Sequence, residues 1–130
     1  MRSERSAVLL LGALTAAAVV LALALVGGPS RAALERRDDR RFSDIQSIRW
    51  TLECIRERQG AFPATLEPEP ACGEMQLSDP VTGAPYSYER LSDDSFRICA
   101  AFEDPERVSS RAEPMLEVGA DGCITAGAAR

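Results

Sequence analysis

Histidine, lysine and asparagine do not occur in the 130 residues, and all fifteen basic side chains are arginine. Lysine and asparagine codons are A-rich, so their loss fits the coding bias of a GC-rich bacterial genome. The absence of histidine has chemical consequences. It removes Ser-His-Asp and Cys-His catalysis and every imidazole metal ligand. Aromatic residues are scarce, with a single tryptophan, Trp50. Excess positive charge is also missing. With a net charge of −5, nucleic acid is excluded as an expected partner, because no basic patch stands outside one arginine cluster near the N-terminus.

What is present begins with a long apolar run. Ala7 to Val26 carries no charge and, apart from Gly12 and Thr15, is entirely Ala, Val and Leu. Twenty residues at ~1.5 Å rise reach ~30 Å, the hydrocarbon thickness of a bilayer. A helix of that length in a soluble core would keep a polar face, and this one has none. The lipid bilayer is therefore an expected partner. The expected division is a cytoplasmic N-terminus over 1–6, a transmembrane helix over 7–27, and an extracytoplasmic domain over 28–130.

A cleaved signal peptide is the competing reading, with Arg2 and Arg5 as its basic region and Ser30-Arg31-Ala32 near a small-x-small site. The run exceeds the 7–15 residues usual for a secretory apolar segment, and Pro29 and Arg31 sit at the cut, so an uncleaved anchor is expected. No cysteine follows closely enough for a lipoprotein anchor. Orientation is contested. Arg2 and Arg5 precede the run while Arg31, Arg36, Arg37, Arg40 and Arg41 follow it, which by the positive-inside rule keeps the C-terminal domain in the cytoplasm. Four cysteines in a small domain point instead to disulfides in an oxidising compartment. The expected location is the inner (cytoplasmic) membrane, with the domain in the periplasm.

Gly27-Gly28-Pro29 breaks the first helix. A second helix is expected over 32–59. Leu34, Phe42, Ile45, Ile48, Leu52 and Ile55 recur at helical spacing and give it one apolar face, and Gly60 stops it. Trp50 and Cys54 lie off that face. A loop crossing them is expected, with Trp50 as its packing anchor. Residues 60–85 then form an irregular loop rich in proline, long enough to need pinning, and Cys72 is the residue to pin it.

The Asp79-Pro80-Val81-Thr82-Gly83-Ala84-Pro85-Tyr86 stretch reads as a turn: Asp79 accepts backbone amides, Pro80 restrains φ, Gly83 supplies a positive φ, and Pro85 opens a strand. The sheet is expected over 86–125. Tyr86 and Tyr88 alternate on the first strand, and Leu91 to Asp94 turns. Ser95 to Phe102 is the clearest strand, with Phe96, Ile98, Ala100 and Phe102 on one face. Glu103 to Glu113 reads as a polar excursion. Pro114 to Val118 and Gly122 to Thr125 form a closing hairpin, and Ala126 to Arg130 a frayed tail. The fold class is α+β: a transmembrane helix, then a long amphipathic helix packed on a three- to four-stranded antiparallel sheet. Cys99 and Cys123 fall on strands of one sheet, while Cys54 and Cys72 fall where the loop crosses the helix. The expected pairs are Cys54–Cys72 and Cys99–Cys123.

Gly60-Ala61-Phe62-Pro63 after the helix, Asp79-Pro80 through Pro85-Tyr86 before the first strand, and the order of elements resemble type IV pilins and type II secretion pseudopilins, the major pseudopilin class above all. With Asp44-Ile45-Gln46-Ser47-Ile48 and Phe96 to Phe102, the chain is closer still to bacterial single-pass membrane proteins bearing the same turn. The resemblance spans Arg40 to Phe102 and implies a pilin-like fold with a meandering sheet. It departs at the N-terminus, where no glycine precedes the apolar run and Glu4 lies ahead of it, so the prepilin cleavage site and assembly glutamate are missing. Calcium is the one cofactor the resemblance admits, and Asp93, Asp94, Glu103 and Asp104 offer oxygens for it, although no position matches a calcium motif. The expected function is non-enzymatic: a membrane-anchored envelope protein that acts structurally or binds another envelope protein, with no small-molecule substrate. A divergent minor pseudopilin is the alternative. The carboxylate pairs Asp93/Asp94 and Glu103/Asp104 could serve an acid–base enzyme but read as solvated turns.

Overall fold

The computed structural model describes residues 2–112 and 116–127. The chain divides into two units, Met1–Leu34 and Glu35–Arg130. In the first, helix α1 (Arg2–Val26) carries the apolar run, and its leucine and valine side chains from Val8 to Val26 are uncovered by protein. It is long and apolar enough to cross a membrane. Gly27 and Gly28 both take positive φ, at 90° and 66°, which ends α1. Helix α2 (Gly28–Gln59) begins four residues before the expected Ala32. Pro29 lies in its first turn, where an amide hydrogen has no intrahelical partner to lose, so proline starts this helix rather than delaying it.

The second unit is α+β. After α2 and the 60–85 loop come β1 (Ser87–Ser92), β2 (Ser95–Cys99), helix α3 (Pro105–Arg111), β3 (Glu117–Val118) and β4 (Cys123–Gly127). The strands form one antiparallel sheet in the order β1-β2-β4-β3. This corrects the expected meander, since β4 inserts between β2 and β3. The segment leaving β2 is not a plain polar excursion either. It contains α3, whose start is built from Asp104, accepting the Arg107 amide at 3.1 Å, and Pro105 behind it. Strand limits also shift. β2 ends at Cys99, since the Phe102 amide turns back to the Ala100 carbonyl. β1 runs through Leu91 and Ser92 across a bulge, leaving Asp93-Asp94 as the turn. β4 takes in Ala126, which is buried, and Gly127. Of the strand expected from Pro114, Pro114 and Met115 lie outside the described residues, as do Glu113 and positions 128–130 of the tail.

The core lies between α2 and one face of the sheet. Ile45, Ile48 and Leu52 are fully buried and cluster with Phe96 and Ile98 of β2 and Ile124 of β4; Ile55 is buried too but stands outside that cluster. Side chains two apart on a strand share a face, so the Phe96/Ile98 face and its cross-strand partners Ala126 and Ile124 assemble this layer together. Phe62 leaves the helix exit and folds inward, edge-on to Phe96 with centroids 4.8 Å apart. Phe42 and Phe102 pack on the margin and stay half-buried. Two disulfides brace the unit. Cys54–Cys72 ties the loop to α2, and Cys99–Cys123 joins directly opposed residues of β2 and β4.

Trp50 corrects the sequence reading. It is 69% exposed, beneath no loop, with the Arg49 guanidinium 6.0 Å from its ring. The Cys54–Cys72 bond holds the loop one helical turn farther on, and Trp50 anchors nothing.

Candidate functional site

The Ile45–Ile48–Leu52 stripe continues backward at spacings of four and three to Arg41 and Asp38. Both are charged, and both are buried, at 2% and 0% exposure. Burying an ion without partners costs several kcal/mol, so these side chains must find them. Arg41 finds three. Its Nε donates to Asp79 Oδ2 at 2.7 Å, and its Nη1 donates to Asp38 Oδ1 at 3.0 Å and to Glu103 Oε1 at 3.3 Å. Asp38 in turn accepts the backbone amides of Glu103 and Asp104 at 2.9 and 2.8 Å. Arg37, one turn earlier on the same helix, grips both oxygens of Glu103 at 2.6 and 2.7 Å.

The Asp79 turn is shaped for this role. Asp79 Oδ1 accepts the Val81 amide at 2.8 Å and, more weakly, that of Thr82. That leaves Oδ2 for Arg41. The Asp79 amide donates to Ala84 O and the Gly83 amide returns to Asp79 O, each at 2.8 Å. Gly83 holds φ at 73°, a conformation that a side chain at this position would strain. Pro80 and Pro85 are exposed at the two ends of the turn, and Pro85 pairs with Ser78. Tyr86 follows, buried, its hydroxyl donating to Asp44 Oδ2 at 2.8 Å. Arg41 and Asp44, three residues apart, therefore clamp the turn to α2. Arg107 of α3 adds a link to the same helix through Glu35 O and Asp39.

The electrostatics follow from these contacts. Burial alone would raise the Asp79 carboxyl, but the Val81 amide and the Arg41 guanidinium outweigh it and hold Asp79 below its ordinary value. The Arg37 fork pulls Glu103 down to about 2. Burial and the neighbouring Asp44 carboxylate push the Tyr86 hydroxyl up.

Each of the carboxylates considered for calcium has a protein partner. Glu103 is held by Arg37 and Arg41, Asp104 caps α3, Asp93 faces Arg90 at 3.6 Å, and Asp94 faces Arg56 at 3.5 Å. Among the described residues no three acidic or cysteine side chains converge as metal ligands. The structure gathers Asp79, Pro80, Gly83, Pro85 and Tyr86 into one turn against α2; Tyr86 shares the core cluster with Ile45 and Ile48, and Ser87 after it lies opposite Cys99 of the Cys99–Cys123 disulfide. Sequence reasoning missed Asp38 altogether and assigned Arg41, Asp44 and Glu103 no part in holding the turn. A signal existed: two charged residues standing in phase with an apolar stripe. No family model, curated protein or solved structure matches the chain.

Proposed function

We propose that the protein is a membrane-anchored envelope protein, non-enzymatic, whose pilin-like domain stands in the periplasm and acts by binding another envelope protein. The observation that carries this reading is the way the domain is held together. Two disulfides and one buried guanidinium link its helix, loop and sheet, directly after a span-length apolar helix. Disulfides persist in oxidising compartments, which favours the extracytoplasmic side. The arginines that argue otherwise have another reason to be there, because Arg37 and Arg41 serve internal ion pairs. The likeness to pilins is one of architecture: a long helix laid on an antiparallel sheet, followed from Gly60 by a proline-rich loop. The positional order of residues Gly60 to Tyr86 supports it, while β4, inserted between β2 and β3, departs from a simple meander.

Side and partner are tested separately. After mild reduction, a membrane-impermeant maleimide should label the cysteines of intact spheroplasts; labelling only after lysis overturns the periplasmic assignment. An affinity-tagged intact protein, solubilised from its own membranes, should retain an envelope protein that a tagged α1 alone does not. Retention of none, or equal retention by α1, overturns the binding role.

A further inference from the structure

Opposite the core, α2 displays a second stripe. Arg36, Arg40, Ser43, Ser47 and Trp50 follow at spacings of four, three, four and three, which places them within about 80° of one another around the helix. All but the half-buried Ser47 are exposed. Seven other arginines of this unit are in ion pairs: Arg37, Arg41, Arg56, Arg90 and Arg97, with Arg107 and Arg111 on α3. Arg36 and Arg40 have no carboxylate partner among the described residues. The chain's one tryptophan shares their face, 69% exposed.

We infer that this stripe is the docking surface for an acidic segment of a partner protein, with Trp50 as the apolar anchor and Arg36 and Arg40 as the charge contacts. The inference rests on the protein-binding role proposed above and adds its location. Tryptophan and arginine are the side chains that most often dominate binding energy at interfaces, and only the small side chains Ser43 and Ser47 stand between them on the stripe. Unpaired arginines in a chain of net charge −5 select an acidic partner. A second copy is disfavoured, because α2 meeting itself in parallel sets Arg36 on Arg36 and Arg40 on Arg40. A lipid surface is disfavoured as well. A helix lying in the interface needs a broad apolar face, and Trp50 is the only large apolar residue on this stripe.

The test is site-specific photo-crosslinking of the full chain in its own membranes. Trp50→p-benzoylphenylalanine probes the stripe, and Leu91→p-benzoylphenylalanine, at a half-exposed position on the sheet, serves as the control. Position 50 should yield a protein adduct whose cross-linked peptide carries net negative charge. Combined Arg36→Glu and Arg40→Glu should lower that yield about tenfold, with both disulfides still formed. An adduct to lipid or to a second copy, a non-acidic contact peptide, or a yield indifferent to the charge reversal overturns the inference. Adducts at position 91 but not at 50 overturn the stripe and leave partner binding standing. Absence of protein adducts at both positions overturns the two together.

Discussion

Replacing Arg41 with methionine keeps most of the side-chain volume and removes the charge that three carboxylates share. Asp38 and Asp79, at 0% and 4% exposure, then remain buried without their cation. Removing one partner of a buried pair costs about 3–5 kcal/mol. Here the lower end applies, about 3 kcal/mol, because Asp38 keeps the Glu103 and Asp104 amides and Asp79 keeps the Val81 amide. The assay is hydrogen exchange of the β2 and β4 amides in the detergent-solubilised full chain, where the most protected amides report global opening. Three kcal/mol corresponds to roughly a 150-fold loss of protection. Arg41→Lys should fall between wild type and Arg41→Met, since an ammonium keeps the charge but cannot reproduce the planar fork to Asp79 and Asp38. Acidification supplies an independent check. Without the guanidinium, burial raises the Asp79 carboxyl above its unfolded value, so the folded variant binds more protons and its deficit should shrink as pH falls. A loss under about 1 kcal/mol, the range of exposed ion pairs, would refute the claim that Arg41 organises the domain.

In the wild type the sign is reversed. Glu103 is held at about 2 against an ordinary 4.5, and Asp79 and Asp121 are also lowered, so their stabilisation is complete above pH 4.5 and is lost as pH falls toward 2. A thermal midpoint that rises on acidification through that window would contradict it. In the core, Leu52→Ala should cost ~2–5 kcal/mol, whereas Trp50→Ala should stay within about 0.5 kcal/mol, both read from the same exchange experiment. Converting Cys54 and Cys72 to serine opens a loop with sequence separation 18 and should cost about 3 kcal/mol. Non-reducing peptide mapping of that double variant should still recover Cys99 joined to Cys123.

Local regularity made much of the fold legible. Isoleucine and leucine at helical spacing announce which face of α2 is buried, because at 3.6 residues per turn steps of three and four return to the same side of the helix. Alternation from Phe96 to Ile98 marks β2 in the same way. The cysteine pairs followed from which elements could lie side by side. Some signals were present but passed over: Asp104-Pro105 is a helix start, and Asp38 and Arg41 stand in phase with the apolar stripe. The helix start is local, but the meaning of the buried charges depended on partners far along the chain, Asp79 at 38 residues and Glu103 at 62 residues from Arg41.

The sequence by itself determined the span-length apolar helix, the α+β class, the buried face of α2 and the Asp79 turn, since each rests on residue types and spacings within one short segment. Tertiary structure alone decided the rest. It set β4 between β2 and β3, because strand order depends on where the α3 crossover lands. It buried Arg41 and left Trp50 in the open, because the fate of a side chain on a helix depends on what arrives to cover it. An arginine with three carboxylates brought around it can be buried, and a tryptophan that no loop reaches stays exposed.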